Sequence, residues 1–140
     1  MLQVEPVIVE RLVREPRGRP EVTVERLLHR ARALPEADRL LVELALRNRV
    51  SRRQIGILLG LSTGGVCRRL HRLTTLLQDP LTIALLEARD QIPAEAREIG
   101  IDHFIRQRSV RAISHQRGVP QSYVTRLLDY IRAWHEYSNR

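Results

Sequence analysis

The chain has no lysine. All of its 24 strongly basic side chains are arginine, and against 16 acids they leave a net charge of +8. Arginine carries a planar fork of five donors suited to phosphate oxygens and to guanine edges. Biased codon usage in a GC-rich genome explains its dominance as well as selection does. Cysteine is nearly absent: Cys67 stands alone, so no internal disulfide can form and a reducing compartment fits. No apolar run approaches the roughly 20 residues of a membrane span, and the N-terminus has no signal-peptide pattern. These absences exclude a membrane protein and a disulfide scaffold, and point to a soluble, cytoplasmic chain. The hydrophobic content of 43% excludes wholesale disorder.

What is present is a repeat. Shifted by 58 positions, the segment from Leu34 to Leu73 lies on the segment from Ile92 to Ile131 without a gap. Pro35 meets Pro93, Arg39 meets Arg97, Ser51 meets Ser109, and Arg53 meets Arg111. Ile55 meets Ile113, Gly60 meets Gly118, Val66 meets Val124, and Arg68 meets Arg126. The shared residues are apolar positions at helical spacing, a turn glycine and arginines. A unit of about 55 residues is marginally stable alone, so two small units are expected: residues 23–78 and 79–140, after an arm at 1–22. Basic charge gathers in the second half of each. From Arg47 to Arg72 there are seven arginines and no acid, and from His103 to Leu128 five and none. A charge run is usually a solvated face. One that recurs acid-free in both copies suggests an acidic polymer as partner.

The periodicity predicts an all-α fold with four helices per unit and a helix-turn-helix in each. In the arm, Pro6 to Arg14 reads as a short amphipathic helix, and Glu15 to Pro20 as a turn-rich linker. Thr23 caps a helix to about Ala33 with Leu27, Leu28 and Ala31 inward. Pro35 opens a second, with Leu40, Leu41, Leu44 and Ala45 as its apolar stripe. Ser51 and Gln54 form a capping box for a third, with Ile55, Leu58 and Leu59 inward, and Gly60 ends it in a left-handed turn. Ser62 caps a fourth that buries Val66, Leu70, Leu73 and Leu77. Asp79-Pro80 restarts the pattern for a helix over Leu81 to Arg89. Pro93 opens the next helix, Ser109 caps another, and Gly118 ends it. The last begins near Gln121 with Val124, Leu127, Leu128, Ile131 and Trp134 inside.

The stretches Ser51–Leu70 and Ser109–Leu128 have the spacing of a helix-turn-helix, whose first helix crosses the phosphate backbone and whose second enters the major groove. At about 100° per residue, the positions two before and two after buried Val66 point outward: Gly64 and Arg68. Around Val124 they are Ser122 and Arg126. Base or groove contact is therefore assigned to Thr63, Gly64, Arg68 and Arg69, with Arg72 further along, and in the second copy to Gln121, Ser122, Tyr123, Thr125 and Arg126. Ser51, Arg52, Arg53, Ser109 and Arg111 sit where a first helix would meet phosphate. Gly64 and Gly65 have two readings. They allow close approach of the backbone to DNA, or they mark a unit that positions the protein and reads few bases.

Leu34-Pro-Glu-Ala-Asp-Arg39, Ser51-x-x-Gln-Ile55, Leu59-Gly-Leu-Ser-x-Gly64 and Val66-x-x-Arg-Leu-His-Arg72 together resemble region 4 of bacterial sigma factors. The second copy resembles it more loosely, through Ile92-Pro93, Arg97, Ser109-Val-Arg-Ala-Ile113, Gly118-Val119 and Tyr123-Val-Thr-Arg-Leu127. The resemblance implies a helix-turn-helix that reads a promoter element and also touches the polymerase flap. Pro120 departs from the pattern by standing where a serine cap is usual. No aromatic-rich segment able to melt promoter DNA, as sigma region 2 does, is found, so a complete sigma factor is not expected.

Other chemistry finds little support. Cys67 and His71 lie four apart on one helix, a legal metal half-site, but no second pair completes it. His29, His103, His115 and His135 are scattered, and Glu95 and Glu98 are ordinary acids of a helix N-terminus. No phosphate loop, nucleophile elbow or catalytic acid pair appears. No metal, cofactor or enzymatic activity is expected. The partner expected is double-stranded DNA, in transcription control. Two rivals stand beside it: a region-4-like module that binds RNA polymerase or an anti-sigma-type partner, and the DNA-binding part of a transposase or recombinase. A palindromic target would indicate a homodimer.

Overall fold

The computed structural model describes residues 23–139. Among them are eight helices and no strand, so the all-helical expectation holds. The helix expected at Pro6–Arg14 and the linker after it lie outside the described residues. The chain divides into two compact units between Gln78 and Asp79.

The first unit contains α1 (Val24–Ala31), α2 (Glu36–Val42), which runs on into a π-helical turn (Glu43–Arg47), α3 (Arg52–Leu59) and α4 (Thr63–Leu77). The second contains α5 (Pro80–Glu87), α6 (Ala94–Gly100) with its own π-helical turn (Ile101–Ile105), α7 (Val110–Arg117) and α8 (Gln121–Ser138). Adding 58 to the bounds of α2, its π turn and α3 gives those of α6, its π turn and α7. The starts of α4 and α8, Thr63 and Gln121, are spaced the same way. The sequence repeat is thus a repeat of backbone.

Side-chain caps explain most helix starts, because each satisfies a backbone N–H that the helix leaves unpaired. Thr23 accepts from the Arg26 N–H at 3.2 Å, and Ser51 from that of Gln54 at 3.2 Å. Ser62 accepts from Gly65 at 3.0 Å, Asp79 from Thr82 at 3.2 Å, and Ser109 from Ala112 at 3.0 Å. α8 starts after Pro120, which offers no side-chain acceptor. Gly60 and Gly118 close α3 and α7 at φ 70° and 65°, a conformation that glycine adopts without a Cβ penalty. Arginines complete two other ends. Arg30 Nη1 donates to the Leu77 carbonyl at 3.0 Å, and Arg97 donates to those of Leu85 and Leu86 at 2.9 and 3.0 Å.

The first core is built on Leu27, Leu41, Val42, Leu46, Ile55, Val66, Leu70, Leu73 and Leu77. The second is built on Leu85, Ile99, Ile105, Ile113, Val124, Leu128 and Ile131, with Phe104 packed against both of its clusters. Full burial of one such side chain is worth about 1.5–3 kcal/mol. Two inward assignments need correction. Leu40 is 41% exposed and Leu58 is 65% exposed. The apolar face runs through Leu41, Val42, Ala45 and Leu46, one position on from the expected stripe, which turns Leu40 outward and leaves Leu44 half-buried. The π turn that follows α2 closes through the Asn48 N–H bonded to Glu43 C=O at 3.1 Å. In α3 the buried pair is Ile55 and Gly56, because α3 abuts the turn that follows it. A Cβ on Gly56 would stand 2.5 Å from the Leu61 carbonyl oxygen. Leu28, Leu59, Leu127 and Trp134 are half-buried. The first helices of the two units end earlier than expected, at Ala31 and Glu87.

The two copies place their ion pairs differently. In the first unit Asp38 of α2 meets Arg69 of α4 at 2.9 Å. The corresponding residues of the second are Ala96 and Leu127. In the second unit Asp102, only 1% exposed, meets Arg106 and Arg117 at 2.9 Å each and Arg108 at 3.8 Å. The first unit has Leu44 and Leu59 where the second has Asp102 and Arg117. Among the described residues no helix is long and apolar enough to cross a membrane.

Candidate nucleic-acid interface

In each unit a short helix, a left-handed glycine and a long helix follow one another with the same internal spacing. The turn is held by backbone bonds at matching places. Leu61 N–H donates to Gly56 C=O at 2.8 Å, and Val119 N–H to Ser114 C=O at 3.1 Å. Buried Ile55, Val66 and Leu70, and their counterparts Ile113, Val124 and Leu128, fix the inner faces. That fixes which side chains of α4 and α8 face outward.

On α8, Gln121, Ser122, Thr125 and Arg126 are all exposed. They form one polar strip carrying an amide, two hydroxyls and a guanidinium. Tyr123 is half-buried instead, and its hydroxyl donates to Glu95 of α6 at 2.7 Å. The bond to Glu95, then desolvation and the Glu95 charge, hold the phenol above its ordinary value against the opposing charge of Arg126. Tyr123 is thus engaged in joining α6 to α8. The sequence assigned it to the groove because its position alone does not reveal Glu95.

On α4, Thr63, Gly64, Arg68 and Arg72 are exposed. Arg68 lies back along its own helix. A Cβ placed on Gly64 would be 3.1 Å from Arg68 Nη1, and one on Gly65 would be 3.9 Å from Nη2. Arg69, assigned to the groove, is drawn to Asp38 by its Nε at 3.0 Å and its Nη2 at 2.9 Å. Arg52, assigned to phosphate, is half-buried. Its Nη1 donates to Cys67 Sγ at 2.8 Å, and its Nε is buried without a hydrogen-bond partner among the described residues. Arg53 and Arg111 are exposed at the starts of α3 and α7. Ser51 and Ser109 use their oxygens as helix caps, which leaves the hydroxyl protons to donate elsewhere.

The residue that sequence reasoning missed is Asp102. Burial pushes its carboxyl upward, but hydrogen bonds from Arg117 and Arg106, with the charges of Arg117 and Arg108, outweigh this and hold it below the ordinary range. Arg117 and Arg108 are thereby engaged within the unit, and the basic window from His103 to Leu128 carries less uncommitted charge than its composition suggests. The available signal was Asp102 and Arg117 standing where the first copy has two leucines. No group of three or more metal-ligating side chains occurs among the described residues.

Comparison of the chain with protein-family models, with curated proteins and with solved structures returned no match.

Proposed function

We propose that the protein binds double-stranded DNA in a sequence-selective way through two tandem helix-turn-helix units of four helices each, and acts in transcription control. The observation that carries this reading is the duplicated geometry. A short helix, a left-handed glycine and a long helix recur at an offset of 58. Both long helices begin with an exposed polar side chain, Thr63 and Gln121, and present an exposed arginine at the same outward position, Arg68 and Arg126. A core requires neither feature. An exposed polar strip on the second helix of such a pair suits the edges of bases in the major groove. Exposed Arg53 and Arg111 on the preceding helices suit phosphate, and the net charge of +8 favours a polyanion. The resemblance to sigma region 4 points the same way. Nothing in the constellation calls for catalysis, a metal or a cofactor.

The test is fluorescence anisotropy with duplexes selected from a random pool, repeated across salt concentrations. The reading expects dissociation constants well below the non-specific range of about 10⁻⁴–10⁻⁶ M at physiological salt. Binding confined to that range for every sequence would count against it.

A second reading has an observation of its own. Leu40 on the helix after Pro35 is 41% exposed, and Ile57 and Leu58 on α3 are 72% and 65% exposed. The second copy carries His115 and Gln116 in place of that last pair, so the fold does not demand apolar residues there. A protein partner such as RNA polymerase or an anti-sigma-type protein would account for them. Recovery of polymerase subunits from nuclease-treated lysate, joined to DNA binding that is only non-specific, would favour this reading.

A further inference from the structure

The outward faces of α4 and α8 differ in a way that assigns separate tasks to the two copies. We infer that base selectivity resides in the second unit, while the first contributes affinity through the phosphate backbone. This rests on the reading of both units as DNA binders.

On α8 the exposed residues Gln121, Ser122, Thr125 and Arg126 offer four hydrogen-bonding side chains of three chemical kinds. Such groups tell base edges apart, glutamine pairing with adenine and arginine with guanine. The matching positions on α4 are Thr63, Gly64, Cys67 and Arg68. Gly64 has no side chain to reach a base. Cys67 is half-buried and its sulfur accepts from Arg52 at 2.8 Å. Arg68 lies in the space that Gly64 and Gly65 leave open, with Nη1 3.1 Å from where a Gly64 Cβ would be. On α8 those two positions carry the side chains of Ser122 and Tyr123 instead. Arg69, the next basic residue of α4, is held by Asp38. The first unit therefore presents positive charge with few groups that discriminate bases. Charge without discrimination contributes binding that is salt-dependent and indifferent to sequence.

The experiment uses the intact chain and two variants. One carries Gln121→Ala, Ser122→Ala and Thr125→Ala, which changes no charge and touches only exposed positions. The other carries Arg68→Ala. Each is titrated across a salt series against a duplex selected by the wild-type chain and a scrambled duplex of equal length, with far-UV circular dichroism confirming helix content. The triple variant should lose roughly tenfold to hundredfold in its preference for the selected duplex, with scrambled binding unchanged. Arg68→Ala should weaken both duplexes alike, keep the preference, and flatten the salt dependence by about one unit of slope. Loss of preference in Arg68→Ala with preference kept in the triple variant overturns the assignment. Salt-dependent binding without any wild-type preference also overturns it, while leaving DNA binding intact. Absence of all duplex binding removes the parent reading as well.

Discussion

Among the described residues Asp102 is the buried charged side chain. Its carboxylate is 1% exposed, and its arginine partners are 29–39% exposed. Asp102→Ala removes the buried charge and leaves cations that water can still reach. The loss should therefore be about 1–3 kcal/mol, below the range for a pair whose survivor stays buried. The first copy shows an apolar solution for the same place, Leu44 and Leu59. The double variant Asp102→Leu, Arg117→Leu should accordingly recover most of that loss, since well-packed apolar residues often replace a buried ion pair at no net cost. Urea midpoints of the three proteins decide this, and a double variant less stable than Asp102→Ala would refute it. The pH dependence follows from the same pair. A carboxyl held below its ordinary value in the folded state contributes stability that is fully present above its unfolded value of about 3.9. That contribution disappears as pH falls through the lower folded value. Wild-type stability should thus drop more steeply than that of the double variant as pH falls from about 4.

At the scale of the element, the glycines of the two turns act by different physics. Gly60 and Gly118 have open space around a would-be Cβ but sit at φ 70° and 65°. Alanine at either should cost about 1 kcal/mol through backbone strain. Gly56 has ordinary helical backbone, but its Cβ would press on the Leu61 carbonyl at 2.5 Å. The second copy carries Ser114 there with the turn bond at 3.1 Å in place of 2.8 Å, so the first turn has to open to admit a Cβ, and Gly56→Ala should cost about 1–3 kcal/mol and loosen α3 against α4. Thermal denaturation of the three single variants would check these values, and a neutral Gly56→Ala would show that the turn gives way easily. Legibility from sequence follows the same division. Caps and left-handed glycines were readable because Thr23, Ser51, Ser62, Asp79, Ser109, Gly60 and Gly118 act on backbone within a few residues of themselves. The π turns were not readable. Arg49 and Gln107 take positive φ after them, at 52° and 58°, without the glycine that would have announced it. The inward face there also lies one position on from the expected stripe, with Leu40 outward and Leu46 inward. The outward faces of α4 and α8 followed from the angle around Val66 and Val124, but the destinations of Arg52, Arg69 and Tyr123 did not. A long polar side chain ends where a partner on another helix draws it, and Cys67, Asp38 and Glu95 are distant in sequence.

For the molecule as a whole, the consequence of duplication under the proposed function would be avidity. Only Gln78 and Asp79 separate α4 from α5, so once one unit engages DNA the other is confined to its vicinity. If both units bind DNA as proposed, the second contact becomes intramolecular, and the two together should bind more tightly than either alone without any new contact. Because Thr63, Gly64 and Gly65 differ from Gln121, Ser122 and Tyr123, the target should be asymmetric. A palindromic target would instead mean that a second copy of the chain supplies the other head, since operator symmetry mirrors protein symmetry. Hydroxyl-radical footprinting of the intact chain measures both properties. The protected backbone should extend beyond the bases that selection finds to matter, because the first unit is assigned phosphate contacts. In the intact chain carrying Arg53→Ala and Arg68→Ala, that extra protection should fade while the base motif stays the same. Affinity should fall for every sequence, by more than the change in salt dependence of two phosphate contacts alone would suggest, because the intramolecular advantage goes with them. Protection that matches the base motif in length, and is unaltered by the two substitutions, would mean that the first copy keeps the fold without touching DNA.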